Sequence, residues 1–166
     1  SVELLLCKNP AQALALAKRL DELNAQRQKA EGAIVDAACA MVEADDLTDK
    51  RVIALKSPDW NKGVVGIAAS RIAERYARPA LLFAEQDGIL TGSARSVEGV
   101  NIYDALRESE RFFLRFGGHA FAAGMTLRAD CFDEFAAALD ESLRKVDDAL
   151  FLPRKTYEAD VALGEL

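Results

Sequence analysis

The run from Phe116 to Met125, with the sequence FGGHAFAAGM, holds residue types that could bind a phosphate. It contains His119, the one histidine of the chain, directly after Gly117 and Gly118. Adjacent glycines can adopt positive φ angles, and the consecutive N–H groups of such a turn can bind an anion. A histidine beside them can add a hydrogen bond and, when protonated, a charge. The alternative is a structural turn followed by a packing surface of small residues. Because the residue types are restricted along the whole run, we favour the functional interpretation.

The segment from Thr91 to Ser96, with the sequence TGSARS, is a second candidate. Ser93 and Arg95 are two residues apart, so on a strand their side chains lie on one face. A hydroxyl and a guanidinium on one face suit a phosphate, which arginine binds through two parallel hydrogen bonds. An exposed edge strand, where serine and arginine are common, is the alternative.

A third candidate lies between Asp59 and Arg71, in DWNKGVVGIAASR. Gly63 begins a predicted helix after a strand and a loop, and the N–H groups and positive dipole at such a helix start attract anions. Lys62 adds charge, Asn61 can donate a hydrogen bond and Trp60 offers a surface on which a base can stack. The same residues are explained equally well by close packing of the helix on the sheet at its glycines, with Trp60 in the core.

Metal-dependent hydrolysis needs carboxylates and histidines that converge on divalent ions. The chain has one histidine, and Cys7, Cys39 and Cys131 are far apart with no CxxC spacing. We therefore expect no metal site and no catalytic residue here, and free thiols typical of a reducing cytoplasm. A Ser-His-Asp triad is disfavoured because no serine has the context of a nucleophile elbow.

The 166-residue chain carries a net charge of −6, yet residues 51–128 have 11 basic and 8 acidic side chains. The positive excess thus coincides with the three candidate segments, a weak indication of an anionic partner. No apolar run approaches the roughly 20 residues that a membrane span needs. We expect a cytoplasmic protein, and Ser1 as the first residue suggests a piece of a longer one.

The elements that must position these residues follow from periodicity and capping signals. Asn9 and Pro10 begin a predicted helix that runs to about Asp45. Strands are predicted at 52–55, 80–84, 89–96, 124–128 and 157–163, with a hairpin at Asp87-Gly88. Helices are predicted at 63–77, from Ile102 to about Leu114, and from Asp130 or Asp133 to about Val146, with the Gly-Gly-His segment as a loop. This alternation predicts a mixed-sheet α/β domain preceded by a long connector helix.

The segment Gly117–Gly124, GGHAFAAG, resembles the GGHxxAAG signature of the DHHA1 domain, the second domain of the DHH phosphoesterase superfamily. The segments Asp59–Arg71 and Thr91–Ser96 resemble blocks of the RecJ family, the single-strand-specific 5′→3′ DNA exonucleases. Together the three blocks span residues 59–124 in the family's order. One departure is Asn61, where the family usually carries histidine.

The resemblance implies a DHHA1 fold that holds 5′-phosphorylated single-stranded DNA against a separate DHH domain with Mg²⁺ or Mn²⁺, so this chain alone should be inactive. It implies a connector over residues 1–49, the DHHA1-like domain over 50–150 and the start of an OB-type domain over 151–166. The alternatives are a phosphodiesterase for oligonucleotides or cyclic dinucleotides and a non-catalytic binding module. The implied substrate-binding residues are Trp60, Asn61, Lys62, Gly63, Ser93, Arg95, Ser96, Gly117, Gly118 and His119.

Overall fold

The computed structural model describes residues 2–152, which form an α/β fold around one five-stranded sheet. The helices are α1 (Val2–Leu6), α2 (Pro10–Ala44), α3 (Val65–Tyr76), α4 (Ile102–Glu108) and α5 (Phe132–Leu143). The strands are β1 (Ile53–Ser57), β2 (Ala80–Gln86), β3 (Ile89–Arg95), β4 (Phe113–His119) and β5 (Ala122–Arg128). The mixed α/β class and the long preceding helix are thereby confirmed.

The sheet has the strand order β1-β2-β3-β5-β4. Strands β1 and β2 are parallel and are joined through α3, whereas the other three pairings are antiparallel. The predicted hairpin between β2 and β3 turns at Asp87 and Gly88, whose φ angles of 52° and 75° are both left-handed. Positive φ at both central residues favours a two-residue connection of this type.

Two apolar clusters pack on opposite faces of the sheet. Helices α2 and α3 cover β1 and β2 on one face through residues that include Val42, Ile53, Ile72 and Leu82. Helices α4 and α5 cover the other face, where Phe83 stands edge-on to the rings of Phe132 and Phe135. The first face has no helix over β4 and β5 among the elements of residues 2–152, so this part of the sheet is left open there.

Helix α2 has 35 residues, and its start agrees with the sequence-based prediction. The side chain of Asn9 accepts hydrogen bonds from the backbone N–H groups of Ala11 and Gln12, so it caps the helix as Asn-Pro pairs do. The buried positions of the helix all lie between Ile34 and Val42. The preceding part therefore extends away from the sheet, as expected for a connector.

Within residues 2–152, no helix combines the length and the hydropathy needed to span a lipid bilayer.

Three predictions about the segment between Asn101 and Arg128 are wrong. The helix that Asn101 caps ends at Glu108, not near Leu114, and a 3₁₀ turn at Glu110–Phe112 leads into β4. The Gly-Gly-His segment is no loop but the end of strand β4, and β5 begins at Ala122, not at Gly124. Strand pairing between β4 and β5 overrides the low strand preference of glycine, because tertiary context decides such segments.

The predicted strand at 157–163 lies outside the described residues, as does nearly all of the proposed segment 151–166.

Candidate phosphate-binding site

The uncovered part of the first sheet face brings two of the three candidate segments together. Residues opposite each other on paired antiparallel strands share a face, so the register aligns three rows across β3, β5 and β4. We call the nine residues of these rows the open face: Arg95, Ala122 and His119; Ser93, Gly124 and Gly117; Thr91, Thr126 and Arg115.

The centre of the open face has no side chains. A Cβ atom added at Gly117 or Gly124 would meet no other heavy atom within 4 Å, and both residues are exposed. Neither Gly117 nor Gly118 has a positive φ, so the predicted turn with converging N–H groups is absent at the Gly-Gly pair. What the glycines supply instead is bare backbone that a ligand can approach closely.

Arg95 and Ser93 lie beside this glycine floor on β3. The Nη1 atom of Arg95 donates to Ser93 Oγ at 2.7 Å and to the carbonyl oxygen of Ala94 at 2.8 Å. Both side chains are half-buried. Within residues 2–152, Arg95 forms no ion pair with a carboxylate. The guanidinium is thus held in place by neutral groups, and no carboxylate of residues 2–152 lies within ion-pair distance of it.

The first turn of α3 lies against the same pair of side chains. A Cβ atom added at Gly66 would stand 3.1 Å from Arg95 Nη2 and 3.1 Å from Ser93 Oγ. The beginning of a helix carries a partial positive charge. Two positive groups therefore adjoin at this point, an arrangement that a bound anion would stabilise.

The loop from Trp60 to Gly63 is held by hydrogen bonds of its own. The Oδ1 atom of Asn61 accepts from the N–H of Gly63 at 2.8 Å. The carbonyl oxygen of Asn61 accepts from the N–H groups of Val64 and Val65. These N–H groups are consequently engaged inside the loop and are not free for an anion.

Trp60 is 7% exposed and packs in the apolar cluster of α2 and α3, which is the structural alternative for this residue. Lys62 is exposed and forms no ion pair within residues 2–152. Both line a cleft that Thr91 of the open face also borders. The loop therefore flanks the open face at the Thr91 end, away from Arg95.

The structure separates two further candidates from this face. Ser96 follows β3, and its hydroxyl donates to the carbonyl oxygen of Val100 at 2.6 Å. Gly118 alternates to the other side of β4, where an added Cβ would stand 2.5 Å from the carbonyl oxygen of Ala122. Gly118 thus permits the close approach of β4 and β5.

His119 is exposed at the end of β4, in the row of Arg95. Its Nδ1 atom accepts a long hydrogen bond of 3.4 Å from the N–H of Phe121. The turn between β4 and β5 is also tied to its surroundings, because Ser96 donates to the carbonyl of Phe121 and Ile102 to that of Ala120. The imidazole is therefore positioned beside the open face, not buried as a core residue.

Two residues near the site were not among the sequence candidates. Arg115 lies on the open face two residues before Gly117, and Phe121 is 60% exposed and borders the same cleft as Arg95. On a strand, alternate side chains share a face, so a strand predicted here would have placed Arg115 on the same face as Gly117. A large aromatic residue within a run of small ones was the available signal for Phe121.

Within residues 2–152, no group of three or more His, Cys, Asp or Glu side chains is arranged to hold a metal ion. The described residues therefore do not fit a divalent metal centre.

The protein is similar to known proteins over most of its length. The sequence model of the DHHA1 domain matches residues 49–145. The single-stranded-DNA-specific exonuclease RecJ of Bacillus subtilis is 41% identical over 167 residues, which cover 99% of this chain and 21% of the relative. The RecJ of Dickeya dadantii is 47% identical over 81% of this chain and 25% of its own length. This chain thus spans about a fifth to a quarter of these relatives.

Solved structures agree with the sequence relationship. A crystal structure of exonuclease RecJ bound to manganese superposes with a TM-score of 0.76 at 34% identity, over 88% of this chain and 36% of the other. RecJ from Thermus thermophilus in complex with Mg²⁺ gives a TM-score of 0.75 at 34% identity, over 88% and 22%. Since the DHHA1 model matches more than half of the residues and the fold agrees with that of its relatives, the chain belongs to the DHHA1 domain family, in the form found in RecJ exonucleases.

Proposed function

We propose that this chain is the substrate-binding part of a single-stranded-DNA-specific exonuclease and that its open face holds the 5′ phosphate of the DNA. The observation that carries the proposal is the state of Arg95. Its guanidinium is half-buried, hydrogen-bonded to Ser93 and unpaired with any carboxylate of residues 2–152, and it lies beside bare glycine backbone. Such a group favours a compact anion that can reach the sheet.

Each nearby group has a defined part in this binding. Arg95 supplies charge and directional hydrogen bonds, and the hydroxyl of Ser93 can donate to a phosphate oxygen. Gly117 and Gly124 let the phosphate approach the sheet closely, and His119 borders it in the row of Arg95. None of these groups cleaves a phosphodiester bond in this proposal.

The hydrolytic chemistry belongs, in this proposal, to a metal-containing DHH domain of the parent protein. RecJ relatives have been solved with Mn²⁺ and with Mg²⁺, and both ions can activate water and stabilise a phosphoryl transition state. Because the relatives are bacterial DNA exonucleases, we also propose a cytoplasmic location and an OB-type domain after residue 150.

The test is the affinity of the chain for a fluorescent 12-nucleotide single-stranded DNA with and without a 5′ phosphate. Arg95→Ala should weaken binding of the phosphorylated strand by about tenfold and reduce the preference for the phosphate, because a charge-assisted contact is lost. Arg111→Ala is the matched control, since Arg111 forms an ion pair with Glu134 of α5, away from the open face. Equal effects of the two substitutions would contradict the assignment of Arg95.

A further inference from the structure

The open face continues beyond the proposed 5′-phosphate site. Its third row contains Thr91, Thr126 and Arg115, and none of these residues is needed to bind the terminal phosphate. Arg115 is exposed on the edge strand β4 and forms no ion pair within residues 2–152. The end of the face farther from Arg95 therefore carries a second positive charge that no carboxylate of residues 2–152 pairs with.

Lys62 borders the same row from the opposite side. It lines the cleft that contains Thr91, and it too lacks an ion pair among the described residues. The carboxylates of this cleft are Glu85 and Asp87, at the hairpin that joins β2 and β3. Neither is paired with Lys62 or Arg115, so two positive side chains flank a row of hydroxyls.

The spacing of the rows suits an elongated ligand. Arg95 lies four positions after Thr91 on β3, which corresponds to about 14 Å at the ~3.4 Å rise per residue of an antiparallel strand. Stacked nucleotides advance about 3.4 Å each, so this length corresponds to at most about four nucleotides. A mononucleotide bound at Arg95 cannot reach Arg115, whereas a short oligonucleotide can.

We propose that Arg115, with the hydroxyls of Thr91 and Thr126 and the ammonium of Lys62, binds an internal phosphate of a single-stranded nucleic acid whose 5′ end lies at Arg95. This inference rests on the proposed function, because the position of the 5′ phosphate defines the start of the track. The backbone runs along β3 and β5, from the row of Arg95 across the glycine floor to the row of Arg115. The negative phosphates complement the positive side chains of this face, and binding does not depend on the base sequence.

The test compares two probes, thymidine 5′-monophosphate and a 5′-phosphorylated 12-nucleotide oligothymidylate, on the 166-residue chain. Arg115→Ala should weaken binding of the 12-mer by about fivefold and make the slope of log affinity against log salt shallower by about 0.7, the value for one phosphate on a single strand. Affinity for the monophosphate should stay within about twofold. Arg115→Lys should retain most of the 12-mer affinity, because the charge is kept.

Arg111→Ala is again the control for a general change of charge, and thermal melting of each variant establishes that it is folded. If Arg115→Ala and Arg111→Ala affect the 12-mer equally, or if Arg115→Ala weakens the monophosphate as much as the 12-mer, the second contact is refuted. In either case Arg95→Ala still tests the 5′-phosphate site, since it should weaken binding of both probes. Failure of the unsubstituted chain to bind either probe would refute both proposals.

Discussion

One face of the sheet carries two regions with opposite properties. Over β1 and β2 it is covered by α2 and α3 and consists of apolar side chains such as Ile53 and Leu82. Over β5 and β4 no helix of residues 2–152 covers the same face, which consists of glycine, threonine, alanine, histidine and arginine. Strand β3 is the border, since Leu82 of β2 stands directly opposite Ser93 of β3.

The difference shows what each half of the face contributes. Burial of apolar surface in the covered half stabilises the fold, at about 25 cal/mol per Å². The open face buries little, and a sheet face left to solvent would gain nothing from bare glycines in the middle of its strands. Packing therefore does not explain the composition of the open face, whereas the close approach of a ligand, as we propose, does.

The strongest test of this contrast replaces the two facing residues at the border. Leu82→Ala should lower the free energy of unfolding by about 2–5 kcal/mol, because Leu82 is fully buried and its loss leaves a cavity. Ser93→Ala should lower it by only about 1 kcal/mol, the net contribution of its hydrogen bond with Arg95, and should also weaken binding of the phosphorylated strand. Urea unfolding together with DNA titration separates the two effects, and a similar loss of stability in both variants would remove the contrast.

A smaller effect is expected at the glycine floor, with stability and binding changing in opposite directions. Gly124→Ala should raise the free energy of unfolding by about 0.5–1 kcal/mol, since alanine restricts the unfolded chain and its Cβ meets no atom within 4 Å. The same methyl group should weaken DNA binding, because it occupies the space of the phosphate.

Gly118→Ala is the matched control for that substitution. Its Cβ would stand 2.5 Å from the backbone of both Ala122 and Ala123, so it should destabilise the protein. A Gly124→Ala variant that is more stable and binds DNA normally would show that the floor does not contact the ligand.

The smallest effect concerns an arginine at the margin of the open face that does have a partner. Arg128 hydrogen-bonds to Asp130 and lowers the pKa of that carboxyl from 3.8 to about 2. A lowered pKa in the folded state means that the pair stabilises the protein above about pH 4. This contribution is lost as the pH falls toward 2.

Arg128→Ala should therefore raise the pKa of Asp130 toward 3.8, which an NMR titration of its carboxyl carbon measures directly. An unchanged pKa would show that the pair does not form in solution. Arg128 would then resemble Arg95 and Arg115, and the distinction between paired and unpaired arginines on this face would fail.

The sequence alone predicted those elements whose signals are local. The Asn9 cap, the Asn101 cap and the Asp87-Gly88 hairpin all depend on residues within a few positions of each other, and all three form as expected. The pairing of Ser93 with Arg95 on one face also follows from local alternation along β3.

What the sequence could not predict depends on contacts between distant segments. The Gly-Gly-His segment is a strand because β5 pairs with it, and that pairing also brings Arg115 into line with Thr91. Trp60 is buried because residues of α2 and α3 pack around it. The engagement of Asn61 with the N–H of Gly63 is local, but it is a feature of loop geometry that residue type does not reveal.

Because α2 is long, a small tilt at its buried end displaces its start by several ångströms. Among residues 2–152, the buried contacts of the helix lie near its end, at Ile34 and Val42, and Glu31 joins it to α3 through an ion pair with Arg71. About 24 residues separate Pro10 from Ile34, which is about 36 Å at 1.5 Å per residue. A tilt of about 5° at the fixed end therefore moves the start of the helix by about 3 Å, so small changes in the packing of α2 on α3 are amplified into displacements as large as a hydrogen-bond length.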